Sequence, residues 1–181
     1  MLPLEYTFRE RIRDAQRLGC GLFMTEFGGS PYFGYEWSNQ VIQQYLQNQN
    51  NWEYKNFYAI TGVGNSFFDP DTGEFMDPGI PFGWAEPFIH AVQGKTIPFS
   101  IRTFGKNGTF WFSYYADPGI KAGTEVLIQR SLWYPNNFTI TISPAGKATW
   151  SLVQQMIQIN LTSSANFGDY IHVRVDNITS I

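Results

Sequence analysis

The second half of the chain carries the pattern that most restricts the fold. From Thr96 onward, short segments alternate apolar and polar residues, and turns rich in Gly, Pro, Asn and Asp separate them. Because no helical period interrupts these segments, the alternation predicts a series of short strands. The predicted strands are residues 96–104, 109–116, 124–133, 138–143, 149–161 and 169–178. Strands at this spacing favour a β-sandwich of about eighty residues.

The first half has a different pattern, in which a helix is followed by a strand. Residues 7–18 place apolar side chains at helical spacing, Thr7 is a candidate cap, and Gly19 ends the segment. The apolar face consists of Phe8, Ile12, Ala15 and Leu18. The uninterrupted apolar run Leu22–Met24 then predicts a buried strand of a parallel sheet. A helix, a short loop and a buried strand form half of a βαβ unit.

Glu26 follows this strand and precedes a Gly-rich turn. In α/β barrels, catalytic side chains gather at the carboxyl ends of the strands. The pattern is equally compatible with a surface or capping carboxylate. Glu26 is therefore a candidate catalytic residue on the residues alone, with a structural role as the alternative.

A second helix–strand pair comes next. Residues 38–47 predict a helix with an apolar face, and residues 51–60 predict a strand with alternating aromatic side chains. The helix face consists of Val41, Ile42, Tyr45 and Leu46. Trp52 lies at the start of the strand, and on the residues alone Trp52 and Tyr54 are core side chains on opposite faces of it.

Composition excludes several classes of function. The net charge of −3 gives no electrostatic basis for binding nucleic acid. A single cysteine excludes an internal disulfide framework, and the two histidines lack metal-ligand spacing. The 18% content of aromatic residues suits sugar binding and a large β core equally well. The Asp-rich stretch 69–79 lacks the closing Glu of a calcium loop, so turn chemistry explains it better.

Four tripeptides have the form of N-glycosylation acceptors, at Asn107, Asn137, Asn160 and Asn177. They favour a secreted or lysosomal/vacuolar location for the full-length form. The amino terminus lacks the basic start and apolar run of a signal peptide. A chain shortened at its amino end would explain both observations.

Several segments resemble glycoside hydrolase family 5, in its endoglycosylceramidase and glucosylceramidase-like branch. Residues 24–28, Met-Thr-Glu-Phe-Gly, are similar to the seventh-strand motif that holds the nucleophile, and Trp52 matches the aromatic residue of the eighth strand. Residues 84–94 resemble the segment that joins the barrel to the sandwich, which implies a packing role for His90. Residues 124–128, 133–135 and 138–144 resemble the branch's carboxyl-terminal domain.

The resemblance implies an α+β chain: the last two βα units of a TIM (β/α)8 barrel in residues 1–94, and a β-sandwich domain in residues 95–181. It implies that Glu26 is the nucleophile of a retaining glycosidase and that Trp52 stacks under the sugar. The family's acid/base Glu follows an Asn on an earlier strand, and none of Glu36, Glu53 and Glu74 follows an Asn here. We therefore expect the acid/base Glu to be missing from this chain and the chain alone to be inactive. The implied mechanism needs no metal or organic cofactor.

The expected function is hydrolysis of O-glycosyl bonds in glucosylceramide-like glycosphingolipids, with a β-glucan as the second substrate class. The expected partner is then a glycan or glycolipid substrate, and the lipid would bring the protein into contact with a membrane surface. The missing half of the barrel is a second expected partner. The chain is then an incomplete gene prediction or one piece of a split enzyme. The alternative is a non-catalytic carbohydrate- or glycolipid-binding sandwich. Its candidate rings are Trp111, Tyr114, Trp133, Tyr134 and Trp150, most of which we expect in the core.

Overall fold

The structure, a computed structural model, describes residues 3–27, 42–45, 48–51, 68–69, 71–75, 85–103 and 108–178. The chain divides into two compact units, Met1–Trp84 and Ala85–Ile181, and each is described by itself. The division between domains predicted at residues 94 and 95 stays a prediction.

The described elements of the first unit are helix α1 (Pro3–Leu18) and strands β1 (Phe23–Phe27) and β2 (Asn48–Asn51). The second unit contains strands β3 (Phe88–Ala91), β4 (Gly94–Thr103), β5 (Phe110–Ala116), β6 (Thr124–Leu127), β7 (Phe138–Ser143), β8 (Ala148–Val153), β9 (Met156–Leu161) and β10 (Tyr170–Asn177). A single helical turn, α2 (Arg130–Trp133), lies between β6 and β7.

Helix α1 ends as predicted but begins earlier. Gly19 has a left-handed φ of 67°. Its N–H donates to the Gln16 carbonyl at 3.2 Å, while the Cys20 N–H donates to the Ala15 carbonyl at 3.0 Å. These two bonds form a Schellman motif, which stops the helix. The helix begins at Pro3, so Thr7 lies within it rather than at the predicted cap.

The apolar face of α1 is buried over part of its length. Phe8 and Ala15 are buried, and the Phe8 ring stacks on Tyr45 with a centroid distance of 5.9 Å. Ile42 is buried and residues 42–44 are helical, within the helix predicted at 38–47. Leu18, the last residue of the predicted apolar face, is 67% exposed. The Schellman turn begins directly after Leu18, at the end of the helix.

The second unit consists of two four-stranded antiparallel sheets, the arrangement expected of a β-sandwich. The first sheet has the strand order β4-β5-β10-β7, and the second has the order β3-β6-β9-β8. The fully buried residues alternate along the central strands of both sheets. In the first sheet they include Phe110, Phe112, Tyr114, Ile171, Val173 and Val175, and in the second Val126, Ile157 and Ile159.

Two predicted strands have different boundaries in the structure. The strand predicted at 124–133 ends at Leu127, and helix α2 follows. The turn of α2 buries Trp133, whose N–H donates to the Gln129 carbonyl at 2.9 Å. The strand predicted at 149–161 is a hairpin, because Gln154 adopts a left-handed φ of 57° and reverses the chain between β8 and β9.

Two further strands were not predicted where they occur. Strand β3 pairs with β6 in the second sheet, although its residues were assigned to the joining segment. Strand β2 begins at Asn48, within a polar run that carries no strand signal, whereas the prediction began at residue 51. Residues 52–60 lie outside the described residues. None of the described helices is long and apolar enough to span a membrane.

Candidate functional site

Strands β1 and β2 form a parallel pair, which sets the geometry of the candidate active site. Phe23 pairs with Asn48, Met24 with Gln49, and Phe27 with Asn51, with a register shift between Met24 and Phe27. Because the strands are parallel, their carboxyl ends lie at the same edge of the sheet. We call this the strand-end edge, defined by residues 26–27 and 51.

Glu26 is the second-to-last residue of β1, directly before the residue that pairs with Asn51. Its backbone therefore lies at the strand-end edge, in the position that the sequence predicted at the end of a strand. Trp52 directly follows the last residue of β2 and lies outside the described residues. The roles of Glu26 as nucleophile and Trp52 as a stacking residue stay predictions.

One other carboxylate considered for the acid/base role can be placed. Glu74 is exposed, and its carbonyl accepts the Asp69 N–H at 2.7 Å. The Asp69 carboxylate accepts hydrogen bonds from the N–H groups of Thr72 and Asp71, and these bonds lower its pKa. These bonds form the Asx turn expected of this Asp-rich stretch. Glu36 and Glu53 lie outside the described residues.

His90 lies on β3, where its Nδ1 contacts the Glu125 carboxylate on β6 at 2.8 Å. Its side chain is 60% exposed, so this pair bridges neighbouring strands on the surface of the second sheet. Within the described ranges, no three His, Cys, Asp or Glu side chains form a group that could hold a metal ion.

Comparison with known protein families identifies the second unit. The profile of the glycoside hydrolase family 5 C-terminal domain matches residues 87–175. Residues 87–175 belong to this family. The match begins at the residue before β3 and ends within β10, so it contains strands of both sheets.

The chain is also similar to longer proteins. It is 25% identical over 174 residues to an endoglycoceramidase of Cyanea nozakii, in a match that covers 91% of this chain and 34% of that protein. The solved endo-glycoceramidase II of Rhodococcus sp. matches with a TM-score of 0.67 and 14% identity, covering 92% of this chain and 36% of that one. Sterylglucosidase 1 of Cryptococcus neoformans matches with a TM-score of 0.57 and 12% identity, covering 80% of this chain and 24% of that one. The chain thus spans about a third of the length of the endoglycoceramidases that it matches.

Most of the rings proposed for sugar binding lie in the core of the family 5 C-terminal domain. Tyr114, Trp133 and Tyr134 are at most 2% exposed, which confirms the expectation that most would face inward. Burial also raises the pKa of the Tyr114 and Tyr134 hydroxyls. Trp111 is partly buried and Trp150 is 43% exposed.

The outer surface of the first sheet carries rings that the sequence analysis did not select. Tyr115 on β5 and Tyr170 on β10 occupy paired positions and are 44% and 49% exposed. Their rings meet nearly edge to face, with centroids 6.0 Å apart and planes at 67°. We call the surface formed by Trp111, Ser113, Tyr115, Tyr170 and His172 the ring face. The alternation along β5 could have revealed it, because Tyr115 falls between the inward positions Tyr114 and Ala116.

Hydrogen bonds connect the centre of the ring face. The Tyr170 hydroxyl donates to Ser113 Oγ at 2.8 Å, and Ser113 Oγ lies 2.9 Å from His172 Nδ1. The His172 ring is 5.6 Å from Trp111 between centroids. Burial, with a further contribution from the charge of Arg174, lowers the pKa of His172. The neutral imidazole is therefore favoured near pH 7.

An ion pair lies at the far end of the same sheet surface. Arg174 Nε donates to both oxygens of the Asp176 carboxylate, at 2.9 and 2.7 Å. Thr109 donates its hydroxyl to Asp176 at 2.6 Å. The bond from Arg174 is the main cause of the lowered pKa of Asp176. Because Asp176 balances Arg174, this end carries no unpaired charge from these two residues.

Proposed function

We propose that this chain supplies the carboxyl-terminal part of a retaining β-glycosidase that hydrolyses glycosphingolipids, with Glu26 as its nucleophile. The observation that carries the proposal is the parallel register of β1 and β2. It brings the backbone of Glu26 to the same edge as Asn51, the residue directly before Trp52. A nucleophile and a stacking ring at one edge are what a sugar site at the end of parallel strands requires.

The chemistry is a double displacement between two carboxyl groups about 5–5.5 Å apart. The Glu26 carboxylate attacks the anomeric carbon and forms a glycosyl ester, while the bond from that carbon to the lipid oxygen breaks. The second carboxyl group gives its proton to that oxygen. In the second step this same carboxylate takes a proton from a water molecule, whose oxygen attacks the anomeric carbon. The bond between that carbon and Glu26 breaks, which releases the sugar and restores the Glu26 carboxylate.

We propose that β1 and β2 are the last two strands of a (β/α)8 barrel, as the family resemblance implies. The order α1, β1 and then parallel β2 supports this assignment. Phe23 is 53% exposed, although it begins an apolar strand that was predicted to be buried. Further barrel elements, which would also hold the acid/base Glu, would cover such a side chain. The missing barrel half is therefore a proposed partner of this chain.

The relatives support a glycolipid substrate. Two of them are named endoglycoceramidases, and one structure of the Rhodococcus enzyme is a complex with ganglioside GM3. We carry this ligand class to the present chain as glucosylceramide-like glycosphingolipid, reached at a membrane surface. A β-glucan is the second substrate class. A non-catalytic glycolipid-binding protein is the second candidate function, and the exposed rings of the ring face support it.

The decisive experiment compares hydrolysis of a fluorescent glucosylceramide by two chains. One is this 181-residue chain, and the other is extended at its amino end by the preceding coding sequence. We expect turnover only by the longer chain. Glu26→Gln should lower its kcat about 10⁴-fold or more, because the nucleophile is lost. Glu74→Gln, a matched change at an exposed carboxylate, should leave kcat unchanged.

Three results would contradict the proposal. Full activity of the longer Glu26→Gln chain would show that Glu26 is not the nucleophile. Turnover by the 181-residue chain would show that the acid/base residue lies within it. Binding of glucosylceramide by the longer chain without any turnover would favour the non-catalytic alternative.

We further propose a secreted or lysosomal/vacuolar location for the full-length protein. The side chains of Asn137 and Asn160 are exposed, whereas the Oδ1 atom of Asn177 is buried. Protein from the native source should lose mass on treatment with an N-glycosidase. Asn137→Gln and Asn160→Gln should each remove one glycan, and Asn166→Gln, an exposed Asn outside an acceptor tripeptide, should remove none. An unchanged mass would contradict this location.

A further inference from the structure

The ring face combines exposed aromatic surface with fixed polar groups. Tyr115 and Tyr170 come from the two central strands of the first sheet. Their rings lie at 67° to each other, so one ring can support a flat ligand while the other forms a wall beside it. Lys95 on β4 occupies the position paired with Tyr115 and is exposed. A cationic donor therefore flanks the two rings.

The polar groups below the rings are held in place. Ser113 is only 3% exposed, although it shares the outer surface with Trp111 and Tyr115. Its hydroxyl oxygen accepts a hydrogen bond from the Tyr170 hydroxyl and lies within hydrogen-bond distance of His172 Nδ1. When His172 is neutral, one ring nitrogen accepts a hydrogen bond and the other carries the proton. Every member of the network has a partner when the Ser113 hydroxyl donates to Nδ1, and the proton is then on Nε2, which can donate a hydrogen bond. Tyr170 then donates a hydrogen bond to Ser113, and Ser113 donates one to His172. The lone pairs of Tyr170 Oη are not used in this network, so this oxygen can accept a further hydrogen bond.

This combination fits a sugar better than it fits a lipid chain. The rings offer apolar contact for the C–H groups of a pyranose. Tyr170 Oη can accept a bond from a sugar hydroxyl, and His172 Nε2 and Lys95 Nζ can donate to one. A hydrocarbon chain would leave these polar groups without partners, at a cost in desolvation.

We infer that the ring face binds an oligosaccharide, with Tyr115 and Tyr170 as the stacking platform and Tyr170, His172 and Lys95 as polar contacts. The choice of a glycolipid head group as this oligosaccharide rests on the proposed function. A sugar site on the sandwich would hold the protein at a glycolipid-bearing surface, where several weak contacts act together.

The test measures sedimentation of the full 181-residue chain with vesicles. One set is phosphatidylcholine containing lactosylceramide, and the other contains ceramide in its place. We expect binding only to the lactosylceramide vesicles. Tyr115→Ala should weaken it about tenfold, as loss of an aromatic contact predicts. Tyr115→Phe should retain it, because stacking needs the ring and not the hydroxyl.

Trp150→Ala is the matched control. Trp150 is 43% exposed, close to the 44% of Tyr115, but it lies on β8 of the second sheet. Its loss should leave binding unchanged. Tyr170→Phe keeps the ring and removes the bond to Ser113, so we expect a loss smaller than that of Tyr115→Ala. The near-UV circular dichroism and Tm of each variant establish that it has folded.

Four outcomes would overturn the inference. These are equal binding to ceramide vesicles, binding that Tyr115→Ala does not weaken, an equal loss in Trp150→Ala, or no binding at all. A dimer that Tyr115→Ala dissociates would instead identify the ring face as a contact between copies of this chain. Hydrolysis by the longer chain depends on Glu26, so failure of the proposed function would be seen separately from failure of this site.

Discussion

At the scale of single residues, the outer surface of the first sheet illustrates how neighbours set the chemistry of a side chain. His172 was noted in the sequence only for its lack of metal-ligand spacing. In the structure it contacts Ser113 and Trp111, and its burial makes the charged form unfavourable. The same imidazole on an exposed strand would titrate near its ordinary pKa of about 6.5.

The lowered pKa of His172 predicts a pH dependence of stability. Below about pH 6.5 the unfolded chain binds a proton that the folded chain resists, so the free energy of unfolding falls as the pH falls. Denaturant unfolding should show that the free energy of unfolding of the unchanged chain is lower at pH 5.0 than at pH 7.5. The difference between the two pH values should be smaller in His172→Gln. This window avoids the titration of Asp169 and Asp176, because hydrogen bonds from the Asn166 N–H and from Arg174 lower the pKa of these two carboxyl groups.

The other histidine provides the control. His90→Gln also removes one imidazole from the second unit, but at a surface pair with Glu125. If His90→Gln and His172→Gln reduced the difference in free energy of unfolding between the two pH values equally, the environment of His172 would not be the cause of that difference.

At the scale of elements, close approach of two strands restricts Gly94 at the start of β4. A Cβ there would lie 2.0 Å from the Tyr115 carbonyl oxygen, in the backbone of β5. Gly94→Ala should therefore lower the free energy of unfolding by several kcal/mol, with about 4 kcal/mol as the scale of a severe clash. Thermal or denaturant unfolding measures the change.

Gly146→Ala is the comparison for backbone strain alone. Gly146 has a φ of 80° with nothing within 4 Å of a built Cβ. Its substitution should cost about 1–2 kcal/mol, the penalty of a left-handed conformation. Equal costs at the two positions would refute the clash at Gly94.

A buried glutamine connects several elements of the sandwich. Gln93 donates from Nε2 to the Ile120 carbonyl at 2.7 Å, and its Oε1 accepts the Leu161 N–H at 3.0 Å. Its own N–H donates to the Thr124 hydroxyl at 2.8 Å. The side chain thus joins the loop after β5 to the end of β9.

Gln93→Leu should lower the free energy of unfolding by about 1–3 kcal/mol, because it leaves the Leu161 N–H and the Ile120 carbonyl without this partner. Gln155→Leu is the matched change at an exposed glutamine in the turn between β8 and β9. It should change unfolding by less than about 0.5 kcal/mol. A stable Gln93→Leu variant would show that the cross-link contributes little.

At the scale of the whole molecule, the described parts of the two units differ in how many strands their sheets contain. The described sheet of the first unit has two strands, and Phe23 on β1 is half-exposed. Strands β5 and β10 lie at the centre of a four-stranded sheet and contribute fully buried side chains. A two-stranded sheet is marginal by itself, whereas central strands exchange their amide protons last.

Hydrogen exchange of the full chain should therefore show faster exchange in β1 than in β5 and β10. In the extended chain proposed above, β1 should become more protected, and β5 and β10 should change little. Mass spectrometry of peptic peptides covering residues 20–27 and 110–116 measures both. Equal protection of β1 in the short and extended chains would contradict the proposed barrel.

Local sequence determined most of the sandwich and the end of α1, because their signals depend on neighbouring residues. Alternation in residues 110–116 reflects which side chains face the core, and Gly19 supplies the left-handed residue that ends a helix. The family resemblance in residues 87–175 was likewise present in the order of its motifs.

Only the tertiary structure decided which strands pair and which rings stay exposed. The polar run at Asn48 forms a strand because β1 offers it a parallel partner, and the chain turns at Gln154 so that β9 can pair with β6. Tyr114 and Tyr115 are the same amino acid one position apart, yet one is fully buried and the other is 44% exposed. Pairing and burial depend on residues distant in the chain, whose positions local periodicity does not specify.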